Sequence, residues 1–288
     1  MCRNALRLIP LAILLGLTRI AAGVDQSPAS GPETVGVPSG NLRLKAFLWT
    51  PPGPGPFPAV LFNHGAASTD PAHTAKLAIT EAAERLGPTF VKHGYAFLYL
   101  FRRGQGLSVD QGEFMRDILG REKHTKGEEA RNHVQFVLLT TDHFQDVTAA
   151  LSFLKSLPAI DAQRIAIMGH SSGGLLSLLA AERDKTLRAA VTFAAASRSW
   201  DSVPEIRESL LSAVRNTTVP IMLLHAANDF SVVPGQAMAD ELARLGKPHL
   251  LKIYPAIGET HGDGHNFVYT AIGQWEEDVF RFLDEHVH

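Results

Sequence analysis

Apolar residues recur along this chain in two rhythms. Leu42-Arg43-Leu44-Lys45-Ala46-Phe47-Leu48-Trp49 largely alternates, which predicts a strand with one exposed face. Elsewhere short apolar runs come without alternation: Ala59 to Phe62, Tyr95 to Phe101, Arg164 to Met168, Ala189 to Ala195, Ile221 to Leu224 and Leu250 to Tyr254. Runs of that kind fit strands buried on both faces of a parallel sheet. Between them, helical spacing predicts helices over about 72–92, 128–157, 173–183, 203–215, 234–245 and 266–286. Strands alternating with helices imply βαβ crossovers. The expected fold class is therefore α/β, with a mostly parallel central sheet and helices on both faces. The stretch at about 107–130 breaks the pattern. It is rich in Gly, Arg, Lys and Glu, and it reads as a polar excursion from the sheet.

The N-terminus follows a different rule. Arg3 and Arg7 precede an apolar stretch from Leu8 to Leu17, and Ala21-Ala22-Gly23 supplies small residues after it. This reads as a signal peptide over residues 1–23, cleaved after Gly23. The apolar stretch falls short of the roughly 20 residues a spanning helix needs, so no stable membrane insertion is expected after cleavage. Residues 24–33, rich in Pro, Ser and Gly, read as a linker. Residues 34–288 then read as a single domain, secreted or periplasmic.

Composition narrows the function. Hydrophobic residues make up 45% and charged residues 19%, enough to build a full core. Lys plus Arg number 27 against 29 Asp plus Glu, a net charge of −2. There is no basic excess to neutralise phosphates, so nucleic acid is not an expected partner. The only cysteine is Cys2, which excludes a disulfide framework, a cysteine-based zinc site and a cysteine nucleophile in the folded body.

The strongest chemical signal is Gly169-His170-Ser171-Ser172-Gly173, placed between a predicted strand and a predicted helix. A serine at such a turn is forced into a strained backbone that lifts its hydroxyl above the sheet, and its glycine neighbours permit close packing. A nucleophilic serine needs a base, and the base needs an orienting acid. Asp229, after the strand Ile221 to Leu224, supplies the acid at a strand's carboxyl end. Either His261 or His265 of His261-Gly262-Asp263-Gly264-His265 can reach back to the serine. His265 is preferred because it abuts the start of the last helix. Two histidines and a carboxylate also spell a metal loop, but such a site lacks a further ligand, and neither metal nor organic cofactor is expected. The oxyanion site is expected from the backbone N–H groups of Ser172 and Ala66, the latter in Asn63-His64-Gly65-Ala66. His64, His170 and Trp200 are candidate pocket residues. Arg103 either contacts a substrate carboxylate or braces a carboxylate on a later helix, with Asp146 the candidate.

Together, Asn63-His64-Gly65, Arg102-Arg103-Gly104-Gln105-Gly106-Leu107-Ser108, the serine turn, Asp229 and Gly264-His265-Asn266-Phe267 resemble the α/β-hydrolase superfamily. Within it the chain is most similar to the dienelactone hydrolase-like group and to the catalytic domains of the prolyl oligopeptidases. The resemblance covers about residues 34 to 287 and supports His265, whose Gly-His-x-Phe setting is typical there. It departs at the nucleophile: dienelactone hydrolases typically carry cysteine where this chain has Ser171. The resemblance implies a serine hydrolase acting on a small-molecule ester or lactone. An exopeptidase or amidase, and a non-catalytic binding protein on the same fold, are the alternatives.

Overall fold

The computed structural model describes Met1, residues 31–66 and residues 78–288. The expected signal peptide, residues 24–30 of the linker and the start of the first predicted helix lie outside the described residues.

Eight strands form one sheet: β1 Glu33–Ser39, β2 Leu42–Trp49, β3 Phe57–Asn63, β4 Ala96–Phe101, β5 Ile160–His170, β6 Ala189–Phe193, β7 Ile221–Ala226 and β8 His249–Tyr254, in the spatial order β1-β2-β4-β3-β5-β6-β7-β8. β1 pairs antiparallel with β2, and β2 pairs antiparallel with β4. All other pairings are parallel. The parallel strands are the ones whose apolar runs do not alternate, because both of their faces are covered.

The two faces differ in kind. On one side Leu98 and Leu100 of β4 join Leu61, Ile165, Ile167 and Leu223 in a largely aliphatic core. That face is covered by α4 Asp142–Ser156, α5 Ser172–Arg183, α6 Pro204–Asn216 and α7 Val233–Arg244. On the other side Phe97, Tyr99 and Phe101 join Phe62, Met168 and Phe193 under α1 Ile79–Lys92 and α10 Ile272–Val287. Phe90 of α1 stacks on Phe97 with ring centroids 4.2 Å apart. One strand therefore serves two cores through its period of two. Each fully buried Leu or Phe contributes about 1.5–3 kcal/mol.

Four expectations are corrected. β1 went unread because Gly36 and Pro38 weaken its strand signal, and Pro38 is tolerated because β1 is an edge strand. The polar excursion is not loop throughout. After a 3-10 turn at Gly106–Gln111 it folds as α2 Met115–Lys126, then α3 Glu128–Thr140. Only Met115 and Leu119 of α2 are buried, so its sequence carries little apolar periodicity. The helix expected over 128–157 breaks at Thr141, whose ψ of −88° lies off the helical range. The last predicted helix opens as short pieces, with α9 Phe267–Thr270 preceding α10.

Arg103 is a brace. Its guanidinium Nη2 lies 2.7 Å from Asp146 Oδ1 and its Nε lies 3.0 Å from Oδ2, while its backbone N–H donates to Oδ2 at 3.0 Å. The Ser39 hydroxyl donates to Asp146 Oδ1 at 2.9 Å. Asp146 is fully buried, so the carboxylate ties β1, the turn after β4 and α4 together. Removing one partner strands a buried charge. Arg103→Ala is expected to lower stability by about 3–5 kcal/mol in urea unfolding. A loss below about 1 kcal/mol, the range of exposed pairs, contradicts the bracing role.

Candidate active site

The site gathers at the carboxyl ends of the parallel strands. Register pairs Asn63 at the end of β3 with Gly169 near the end of β5. The His64 loop and the serine turn thus leave the sheet side by side.

Ser171 sits between β5 and α5 at φ 54°, ψ −118°. For a non-glycine residue this is strained, by about 1–3 kcal/mol, and it persists only where the surroundings over-determine it. They do so here. A Cβ at Gly169 would collide with the Gly173 carbonyl, and one at Gly173 would collide with the Asn63 carbonyl. Strand, helix and neighbouring loop are in backbone contact, and only glycine fits at those two crossings. The Ser171 N–H donates to Phe193 O at 2.8 Å, pinning the turn to β6. Ser172 opens α5, so its N–H belongs to the unpaired donors of a helix start.

Asp229 lies just past β7, and His265 ends the short α8 His261–His265. His265 Nδ1 lies 2.8 Å from Asp229 Oδ1. This contact fixes Nδ1 as the protonated nitrogen and leaves Nε2 basic. His225 Nδ1 lies 2.9 Å from Asp229 Oδ2, and the Phe230 N–H donates to Oδ1 at 2.7 Å. Burial alone would raise the Asp229 carboxyl, but the hydrogen bonds from His225 and His265 outweigh it and hold the group well below the usual carboxylate range. The Ser197 hydroxyl also reaches His265 Nδ1, at 3.0 Å. The His265 ring is flanked by His170 and by Phe230, with centroids 4.8 Å and 5.2 Å away. Phe230 is partly exposed at the rim, and the Arg198 guanidinium lies 4.5 Å over its ring.

His261 is held elsewhere. Its Nδ1 lies 3.1 Å from Asn228 O, and its neighbour Asp263 caps α8 in a reciprocal pair with Thr260. Gly264 is needed for close approach rather than for an unusual turn: a Cβ there would run into Asn228.

The three candidate pocket residues are all buried. Trp200 is 4% exposed and packs in the aliphatic core. The His64 ring stacks on Tyr99 and contacts Gly65 O through Nδ1 at 2.6 Å. His170 spans the site's underside, with Nε2 2.9 Å from His265 O and Nδ1 3.3 Å from the Tyr269 hydroxyl. The two histidine rings thus tie together the Gly65, His265 and Tyr269 segments around Ser171. Sequence analysis missed His225, Ser197 and Arg102. Only His225 left a trace, as a histidine inside an apolar strand run four residues before Asp229.

Residues 44–270 match the family model of the dienelactone hydrolase family. The chain belongs to that family. A curated relative, the quorum-quenching protein AidA of Acinetobacter baumannii, is 27% identical over 161 residues, which cover 56% of this chain and 43% of the relative. Among solved structures, an acylaminoacyl peptidase of Pyrococcus horikoshii superposes with a TM-score of 0.61 at 16% identity, covering 92% of this chain and 43% of that one. A dienelactone hydrolase of Anabaena variabilis superposes with a TM-score of 0.58 at 19% identity, covering 90% of this chain and 100% of that one. These structural likenesses show the α/β-hydrolase fold. The chain spans less than half the length of AidA and of the peptidase.

Three histidines under the site are neutral at pH 7. Burial lowers His170 to about 3, with His265 adding to the effect. Burial lowers His143 to about 3, with Arg102 and Arg103 adding. Burial and then Arg102 likewise push His64 well down. A histidine with a depressed folded pKa binds fewer protons folded than unfolded between the two values. Stability is then complete above the ordinary value of 6.5 and is lost as pH falls toward about 3. Each such histidine removes about 1.4 kcal/mol per pH unit within that window. Thermal unfolding followed from pH 7.5 to pH 4 is expected to show a steadily falling midpoint, steepest below pH 6. A midpoint that stays level to pH 4 contradicts the buried neutral histidines.

Proposed function

We propose that this protein is an exported serine hydrolase that cleaves a carboxylic ester or lactone through an acyl-enzyme on Ser171. The observation that carries the reading is the strained Ser171 turn at the sheet edge where the Asp229–His265 pair also stands. A strained serine turn whose neighbour His170 touches the backbone of a carboxylate-oriented histidine has a use in nucleophilic catalysis.

In the proposed reaction His265 Nε2 takes the proton of the Ser171 hydroxyl as Oγ bonds to the substrate carbonyl carbon. The carbonyl oxygen becomes an oxyanion held by the N–H groups of Ser172 and Ala66. Collapse of this intermediate breaks the bond to the alcohol oxygen, which takes the proton from His265. In a lactone that alcohol stays tethered to the acyl group. Water then attacks the acyl-enzyme, giving its proton to His265, and Ser171 leaves with that proton as the acid departs. Asp229 stays ionised throughout and stabilises the imidazolium. The ester or lactone substrate is supported by family membership and by the likeness to a dienelactone hydrolase. Export is supported by the pattern of residues 1–23.

Ser171→Ala is expected to abolish turnover of p-nitrophenyl esters and labelling by a fluorophosphonate, with unchanged thermal stability. His265→Ala is expected to lower kcat by orders of magnitude, while His261→Ala retains most of it. Wild-type-like turnover in Ser171→Ala sinks the nucleophile, and the opposite ranking of the two histidines moves the base to His261. Aminoacyl anilides turned over faster than every ester would make the enzyme a peptidase or amidase. N-terminal sequencing of the exported protein is expected to begin at Val24, and a retained Met1 contradicts cleavage.

A further inference from the structure

Arg102, the residue after β4, is fully buried. Its Nη2 donates to Gly65 O at 3.2 Å. Nε and Nη1 have no hydrogen-bond partner among the described residues. Asp146 is a carboxylate whose charge it feels, but Arg103 and Ser39 occupy that group. Burial lowers the guanidinium to about 10, so Arg102 still carries its charge at neutral pH. A buried cation with two nitrogens unpartnered among the described residues is a poor device for stability, since desolvation is only partly repaid.

What the charge touches is the loop beside the nucleophile. Gly65 O takes a second donor from His64 Nδ1 at 2.6 Å. The Arg102 N–H points to His64 Nε2 at 3.5 Å, which assigns the ring proton to Nδ1. A Cβ at Gly65 would lie 3.3 Å from Ser171 Cβ, so this backbone lies against the serine. The Gly65 carbonyl and the Ala66 N–H belong to one planar trans peptide and point in opposite directions. The carbonyl end faces the buried guanidinium, and Ala66 is exposed.

We infer that Arg102 is a positioning residue of the oxyanion site, whose guanidinium grips the Gly65 carbonyl and thereby aims and polarises the Ala66 N–H toward the developing oxyanion. Two donors on the carbonyl, the charged Arg102 guanidinium and the neutral His64 ring, fix the peptide plane, and hydrogen bonds in a chain strengthen one another. The inference rests on the reading of Ser171 as nucleophile.

The test compares the wild type with Arg102→Lys and Arg102→Gln, using p-nitrophenyl butyrate as substrate. Each preparation is titrated with a fluorophosphonate, and kcat is expressed per reactive serine, so misfolded protein drops out of the count. A phenylboronic acid serves as an analogue of the tetrahedral intermediate. For Arg102→Gln, kcat per reactive serine is expected to fall by about tenfold or more, a fraction of what deleting an oxyanion donor costs. KM should change little, and boronate affinity should fall in step with kcat. Arg102→Lys, which keeps the charge but not the fork, is expected to fall between. Unchanged kcat per reactive serine in both variants, with loss confined to the number of reactive serines, overturns the inference and leaves the Ser171 reading standing. A wild type that the fluorophosphonate does not label overturns the Ser171 reading and this inference with it.

Discussion

Everything at the site depends on the backbone contact between β5, α5 and the end of β3. Gly169 and Gly173 let these three segments approach until no Cβ fits between them. The chain turning from β5 into α5 within that space has one route, and it places Ser171 in the left-handed region. The strain is about 1–3 kcal/mol, small beside the burial of a strand with Ile165, Ile167 and Met168 inaccessible to water. The core therefore holds the hydroxyl up, and a looser core would let the turn relax and the hydroxyl drop.

A second constraint is electrostatic. The site needs one ionised carboxylate, one histidine free to change its protonation state, and no competing proton acceptors nearby. Two histidine contacts and a backbone N–H keep Asp229 charged despite its burial. His64 and His170 are kept neutral chiefly by burial. Asp229 is shared by His225 and His265, at 2.9 Å and 2.8 Å, while among the described residues His64 and His170 make no hydrogen bond to it. The Ser197 hydroxyl on His265 Nδ1 comes from a loop in which Ala194 and Ala196 hold φ of 54° and 56°. Backbone strain here too accompanies a group placed against the imidazole.

The parallel strands were legible because burial on both faces writes an unbroken apolar run. The turn at Ser171 and the position of Asp229 past a strand end were legible because their neighbours, two glycines and an apolar run, are local. His265 ends the short α8 instead of abutting the last helix, and the structure brings it to Asp229 while His261 turns to Asn228. Other features left no local mark. Pro38 argues against a strand unless the strand is known to be an edge. The helix Met115–Lys126 buries two residues and so has no stripe. His64 and His170 drew notice by adjoining the motifs and Trp200 by following a strand end, yet position along the chain does not tell which way a ring points.

Arg102 and Arg103 show the same limit at its sharpest. In the sequence they are neighbours of one type, and the family resemblance drew attention to the second. In the fold, Arg103 reaches a carboxylate already fixed on α4, so its charge is repaid by a bidentate contact and its role is structural. Arg102 has no such contact among the described residues and leans on the Gly65 carbonyl, in backbone that lies against Ser171. A buried arginine paired with a carboxylate is a brace whose loss shows in stability. One paired with a peptide oxygen changes the field at the other end of that peptide. Which of the two an arginine becomes is set by the tertiary partner and by nothing in its own neighbourhood along the chain.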